Sequence, residues 1–140
     1  MCTEITTLTY LDIKSYIIVM PDKRYKRGDG KRCLRCWRNK LKHGNKLKKE
    51  YNLKNSQISL CGFSQGCMMS INLGLTSNEN FNCIVGFSGK IINKDNLSRR
   101  KTSNTKMLLL HGDLDEVVPS VNLLEAKDFL IRNNIEVETN

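Results

Sequence analysis

Ser64 stands between two glycines in LCGFSQGCMM, residues 60–69, where an apolar run ends and a helix-like run begins. Gly62-Phe63-Ser64-Gln65-Gly66 fits the G-x-S-x-G pattern, a sharp strand-to-helix turn that lifts a serine hydroxyl above a sheet for attack on an acyl carbon. Glycines flank such a serine because the backbone folds so tightly that a Cβ would clash. A helix leaving directly after the serine turns the Gln65 N–H and the positive end of the helix dipole toward a developing oxyanion. The plain alternative is a glycine-bounded turn with an incidental serine. For chemistry, the hydroxyl needs an acid, a histidine and a second oxyanion donor.

A carboxylate source lies downstream in LLLHGDLDEVVP, residues 108–119. An apolar run ends in His111-Gly112, and Asp113 and Asp115 follow where an acid that orients a catalytic histidine is wanted. The same two aspartates would also serve as ordinary turn residues ahead of a helix at Ser120. Histidine is scarcer: the chain holds two, His43 and His111.

The elements that must position these residues read as a strand and helix alternation. The β-branched run at residues 16–20, closed by Pro21, predicts a buried strand, while the residues before it are ambiguous. SQISLCGF, FNCIVGFSG and KMLLLHG predict three more strands, and the final IEVE opens another. QGCMMSINLGL predicts a helix whose Gly66, Ser70 and Gly74 recur every four residues, a flat stripe for close approach to a sheet. SVNLLEAKDFLIRNN predicts an amphipathic helix with Ser120 as N-cap and Leu123, Ala126 and Leu130 on one face. Short apolar strands alternating with helices imply an α/β fold with a mostly parallel sheet flanked by helices.

Charge divides the chain. Of 23 Lys and Arg, residues 23–50 hold 13, with only 2 of the 14 Asp and Glu, so this segment carries +11 of a net charge of +9. The rest is close to neutral, as in an ordinary enzyme. Residues 22–50 show no sustained period of 2 or 3.6 and read as loop or disorder with a helix near the end. Tyr25 and Trp37 among the basic residues would suit nucleic-acid binding by phosphate contact and stacking, the rival function from a different class. A non-catalytic interaction domain is the other rival. Cys33-Leu34-Arg35-Cys36 is half of a zinc ribbon without a second ligand pair, so neither metal nor cofactor is expected. Cys61, Cys67 and Cys83 sit in apolar runs and are expected to pack in the core as reduced thiols. No apolar run approaches the roughly 18 residues that span a bilayer, and the start MCTEITTLTY lacks a signal-peptide pattern, so a cytoplasmic protein without stable membrane insertion is expected.

ISLCGFSQGCMM, IVGFSG and LLLHGDLDEVVP, in this order and at these separations, resemble the phospholipase/carboxylesterase family of α/β hydrolases, which includes the acyl-protein thioesterases. The resemblance covers residues 51–140, is faint over residues 10–22 and is absent from residues 23–50. It implies a serine hydrolase acting on a small-molecule ester or an acylated protein through an acyl-enzyme. Ser64 is then the nucleophile, Gln65 an oxyanion donor and Asp115 the acid that orients the histidine, with Asp113 structural. The family order is Ser, Asp, His, yet no histidine follows Asp115 in residues 116–140. The resemblance makes His111 a structural position, and His43 lies in the basic segment with no strand before it. The family's H-G-x-G oxyanion loop has only His43-Gly44 as a counterpart. Residues 1–140 are therefore expected to form a single partial α/β-hydrolase domain, truncated relative to the family and interrupted by the basic segment. Turnover is expected to be weak or absent, and exposed sheet edges to favour self-association. The compositional breaks at residues 22 and 50 are also what a shifted reading frame would leave.

Overall fold

The computed structural model describes residues 5–10, 13–20, 46 and 48–140, and in the first two strands it describes the backbone alone. Six strands form one sheet: β1 (Ile5–Tyr10), β2 (Ile13–Met20), β3 (Ile58–Phe63), β4 (Cys83–Phe87), β5 (Met107–Leu110) and β6 (Val137–Thr139). Spatial order equals chain order; β1 runs antiparallel to β2, and every later neighbour pair is parallel. Three helices supply the crossovers between β3 and β6: α1 (Gln65–Thr76), α2 (Lys94–Arg100) and α3 (Val121–Arg132).

β1 was not evident from the sequence. Its residues, ITTLTY, are rich in β-branched side chains, but a half-polar strand of this kind is fixed by pairing, here in register with β2 from Ile5↔Ile18 to Tyr10↔Ile13. The strands expected at residues 16–20, SQISLCGF, FNCIVGFSG, KMLLLHG and IEVE are all present as β2 to β6. Residues 48–50 are helical, as expected near the end of the basic segment. The remaining expectations for that segment, including the Cys33/Cys36 pair, His43, Tyr25 and Trp37, fall outside the described residues.

A sheet that advances in one direction through right-handed crossovers receives all its helices on one face. The side chains agree. Ile58, Leu60, Ile84, Met107 and Leu109 from the strands form one buried cluster with Ile71 and Leu75 of α1, Leu97 of α2 and Ala126 and Leu130 of α3. With period-2 alternation, the opposite face carries Cys61, Val85, Leu108 and Leu110, each only half-buried. This corrects the expectation for the cysteines: Cys67, on α1, is buried, but Cys61 and Cys83 lie on the less covered face and are half-buried.

The small-residue stripe of α1 lies flat on the sheet, with Gly66, Ser70 and Gly74 all buried. The Ser70 hydroxyl donates to the Gly66 carbonyl at 2.9 Å, so it satisfies itself within the helix. A Cβ at Gly74 would run into the Ile84 side chain on β4. α3 ends in a Schellman-type turn: Asn134 has φ 56, and the Ile135 N–H donates to the Leu130 carbonyl at 3.0 Å. Its start differs from expectation, because Ser120 has helical backbone angles and its hydroxyl makes no capping bond. Among the described residues, no helix is long and apolar enough to cross a membrane.

The approach of α1 to β4 gives a direct test. Gly74→Ala is expected to overpack the Ile84 contact and lower stability by about 1–3 kcal/mol, read as a reduced urea midpoint with an unchanged slope.

Candidate active site

The turn between β3 and α1 has the geometry that G-x-S-x-G requires. Ser64 holds φ 51 and ψ −116, a region that residues with a Cβ rarely enter. The fold-back is so tight that a Cβ on Gly62 would overlap the Gly66 carbonyl and the Cys67 nitrogen. Two backbone bonds pin the strained residue: the Ser64 N–H donates to Phe87 of β4 at 2.8 Å, and the Met68 N–H donates to the Ser64 carbonyl at 3.2 Å. Gln65 is the first residue of α1, where backbone N–H groups and the helix dipole favour negative charge. The neighbouring thiol is no rival nucleophile. Burial, reinforced by Cys61, pushes the Cys67 thiol up to about 12, so it stays protonated and fills the space beneath Gly86 and Gly89.

At the end of β5 the chain enters the His111–Asp115 loop. The His111 imidazole is 1% exposed; its Nε2 lies 2.6 Å from the Val118 carbonyl and 3.6 Å from Asp115 Oδ2. A carbonyl only accepts, so this bond places a proton on Nε2. Nδ1 is buried without a partner among the described residues. Asp115 Oδ1 accepts the N–H groups of Val117 at 3.0 Å and Val118 at 2.9 Å. The Val118 N–H is the largest cause holding the Asp115 carboxyl below its ordinary value. The Ser88 hydroxyl, the Val117 N–H and His111 add to it, and partial burial opposes it. Asp113 is exposed.

The His111–Asp115 loop and the strand ends frame an open cleft of about 390 Å³, lined by Phe63, Phe87, Ser88, His111 and Asp113 among others. It lies beyond the carboxyl ends of the parallel strands, where α/β sheets bind ligands. A second groove of about 290 Å³ begins at Gln65 and runs between α1 and α2, over Met68, Met69, Ile91 and Ile92 to Arg100. The structure thus places Ser64 and Gln65 at the head of α1 and Asp115 in the loop after β5, with the end of β4 between them. Sequence reasoning gave no role to Ser88, although IVGFSG was one of the motifs singled out. Among the described residues, no cluster of His, Cys, Asp and Glu is arranged to hold a metal ion.

The profile of the Phospholipase/Carboxylesterase family matches residues 37–140, so the match begins inside the basic segment. Acyl-protein thioesterase 1 of Yarrowia lipolytica is 38% identical over 79 residues, covering 54% of this chain and 35% of the thioesterase. Among solved structures, esterase PE8 is 35% identical with a TM-score of 0.67, covering 69% of this chain and 45% of its own. Arabidopsis thaliana SOBER1 shares the fold at 18% identity and a TM-score of 0.67, covering 81% of this chain and 55% of its own. The chain spans about a third of the length of the thioesterase and about half that of the two solved proteins.

The hydrogen bonds to Asp115 carry a sign. A carboxyl whose folded value is depressed contributes stability in full above its unfolded value, about 3.9, and loses it as pH falls through the folded value. Asp115→Asn is therefore expected to destabilise the protein at neutral pH, with the deficit shrinking as the medium is acidified below about pH 4. Thermal unfolding of both proteins across pH 2–7 checks this; a deficit independent of pH would refute it.

Proposed function

The chain belongs to the phospholipase/carboxylesterase family, and from that premise we propose that it is a carboxylic ester hydrolase whose nucleophile is Ser64. The observation that carries this reading is the backbone of Ser64, strained at φ 51 and ψ −116 between a parallel strand and the head of a helix. Attack of the Ser64 hydroxyl on an ester or thioester carbonyl gives a tetrahedral oxyanion beside the Gln65 N–H. Expulsion of the alcohol or thiol leaves an acyl-serine that water hydrolyses. Asp115 is the acid that orients and stabilises a catalytic imidazole, and its bonds to Val117 and Val118 support that role by keeping it ionised. The groove that starts at Gln65 is lined by Met68, Met69, Ile91 and Ile92, which supports a substrate with an apolar acyl or leaving group. Acylated proteins are the substrate class named for the yeast relative.

The base is the incomplete part. His111 precedes Asp115, is buried, and commits its Nε2 to Val118. No histidine lies in residues 116–140. Among the described residues, the nucleophile and the acid therefore have no histidine free to accept a proton between them. Loss of that histidine slows a serine hydrolase by a factor of about a million.

Two assays on the purified 140-residue chain test the reading. Slow hydrolysis of a short-chain p-nitrophenyl ester is expected to rise with added imidazole and to vanish in Ser64→Ala. Imidazole is likewise expected to speed fluorophosphonate labelling of Ser64. Failure of Ser64 to label with imidazole present would sink the nucleophile assignment. Rapid imidazole-independent turnover lost in Ser64→Ala would instead show that residues 1–140 contain a base.

A further inference from the structure

The groove between α1 and α2 begins in the site and ends well away from it. Gln65, the first residue of α1, lines one end. Both helices are crossovers between parallel strands, so both run back from the carboxyl edge of the sheet, and Asn72 of α1 and Arg100, the last residue of α2, line the far end. The step from Gln65 to Asn72 is about two turns of helix, roughly 10 Å. The walls between are apolar, and Ile92 among them is 56% exposed, so an apolar surface stands open to solvent. Among the described residues that line the groove, Arg100 is the one that carries a charge. Its Nη1 donates to Asn96 Oδ1 at 3.3 Å, a neutral acceptor on its own helix, and it has no carboxylate partner among the described residues.

We propose that this groove holds the acyl chain of the substrate and that Arg100 selects a chain ending in an anionic group, so that monoesters of medium-length dicarboxylic acids are preferred substrates. The proposal rests on the reading of Ser64 as nucleophile and deepens it. A leaving group departs toward the imidazole that protonates it, on the side of the acid. The loop that carries Asp115 borders the cleft at the strand ends and contributes nothing to the groove, which is left to the acyl chain. An acyl carbon beside the Gln65 N–H sends its chain along Met68 and Met69 toward Arg100. About eight carbons, joined in a zigzag by bonds of about 1.5 Å, cover that distance. A methyl end would meet a guanidinium it cannot engage, whereas a carboxylate end gains a charge-assisted bond to a planar fork of donors.

Binding is read by NMR from the methyl resonances of Met68 and Met69 in the 140-residue chain, titrated with the monomethyl ester of octanedioic acid and with methyl octanoate. The charged ester is expected to bind about two- to fivefold more tightly, the range of an exposed ion pair, and to lose that advantage as salt is added. Arg100→Gln is expected to abolish the advantage and Arg100→Lys to keep part of it, with thermal midpoints little changed because the side chain is exposed. Equal affinity for the two esters in the wild type, or a preference that survives Arg100→Gln, overturns the proposal. Methyl shifts that follow protein concentration and ignore both esters would assign the groove to a second copy of the chain and overturn it as well. The titration needs no turnover. If Ser64 fails to react with a fluorophosphonate, the functional reading falls while the two esters still decide what the groove takes.

Discussion

The backbone of Ser64 is the constraint on which the rest of the structure depends. A residue with a Cβ held at φ 51 and ψ −116 costs on the order of 1–3 kcal/mol and persists only where its surroundings over-determine it. Here they do so from three sides. β3 enters paired with β2 and β4, α1 leaves immediately, and the Phe87 carbonyl holds the N–H between them. A helix that starts this close to a sheet has to continue close to it. The buried line of Gly66, Ser70 and Gly74, and the seat of Cys67 beneath Gly86 and Gly89, follow from that approach. The packing of the core and the strained turn at the serine are thus one geometric fact.

The Asp115 loop is built by a different device. Asp115 needs no distant charge to stay ionised, since two amides of its own loop donate to its carboxylate. His111 closes the same loop by spending its Nε2 proton on Val118, which fixes the ring and leaves it a buried structural member. Ser64 and Asp115 are therefore held independently, each by backbone bonds, on either side of the end of β4.

Much of this was legible because it is written locally. The glycine-serine-glycine spacing, the apolar runs of β2 to β6 and the one-faced pattern of α3 each need only a short window of sequence. What could not be read depends on partners elsewhere in the chain. β1 becomes a strand through β2; Cys61 and Cys83 are half-buried because all three helices fall on the other face; the Ser120 hydroxyl makes no cap because its own backbone is already helical.

Because the strands lie side by side in the order in which they are made, none has to be slotted between two already paired neighbours. Each β-strand and following helix from β3 onward can dock on the edge left by its predecessor, so the entropy of closing long loops is met in small instalments along the chain. During synthesis, the bent serine turn is completed on its β4 side before the Asp115 loop emerges. The site is then assembled vectorially, from Ser64 to Asp115, as the sheet grows outward from its N-terminal edge.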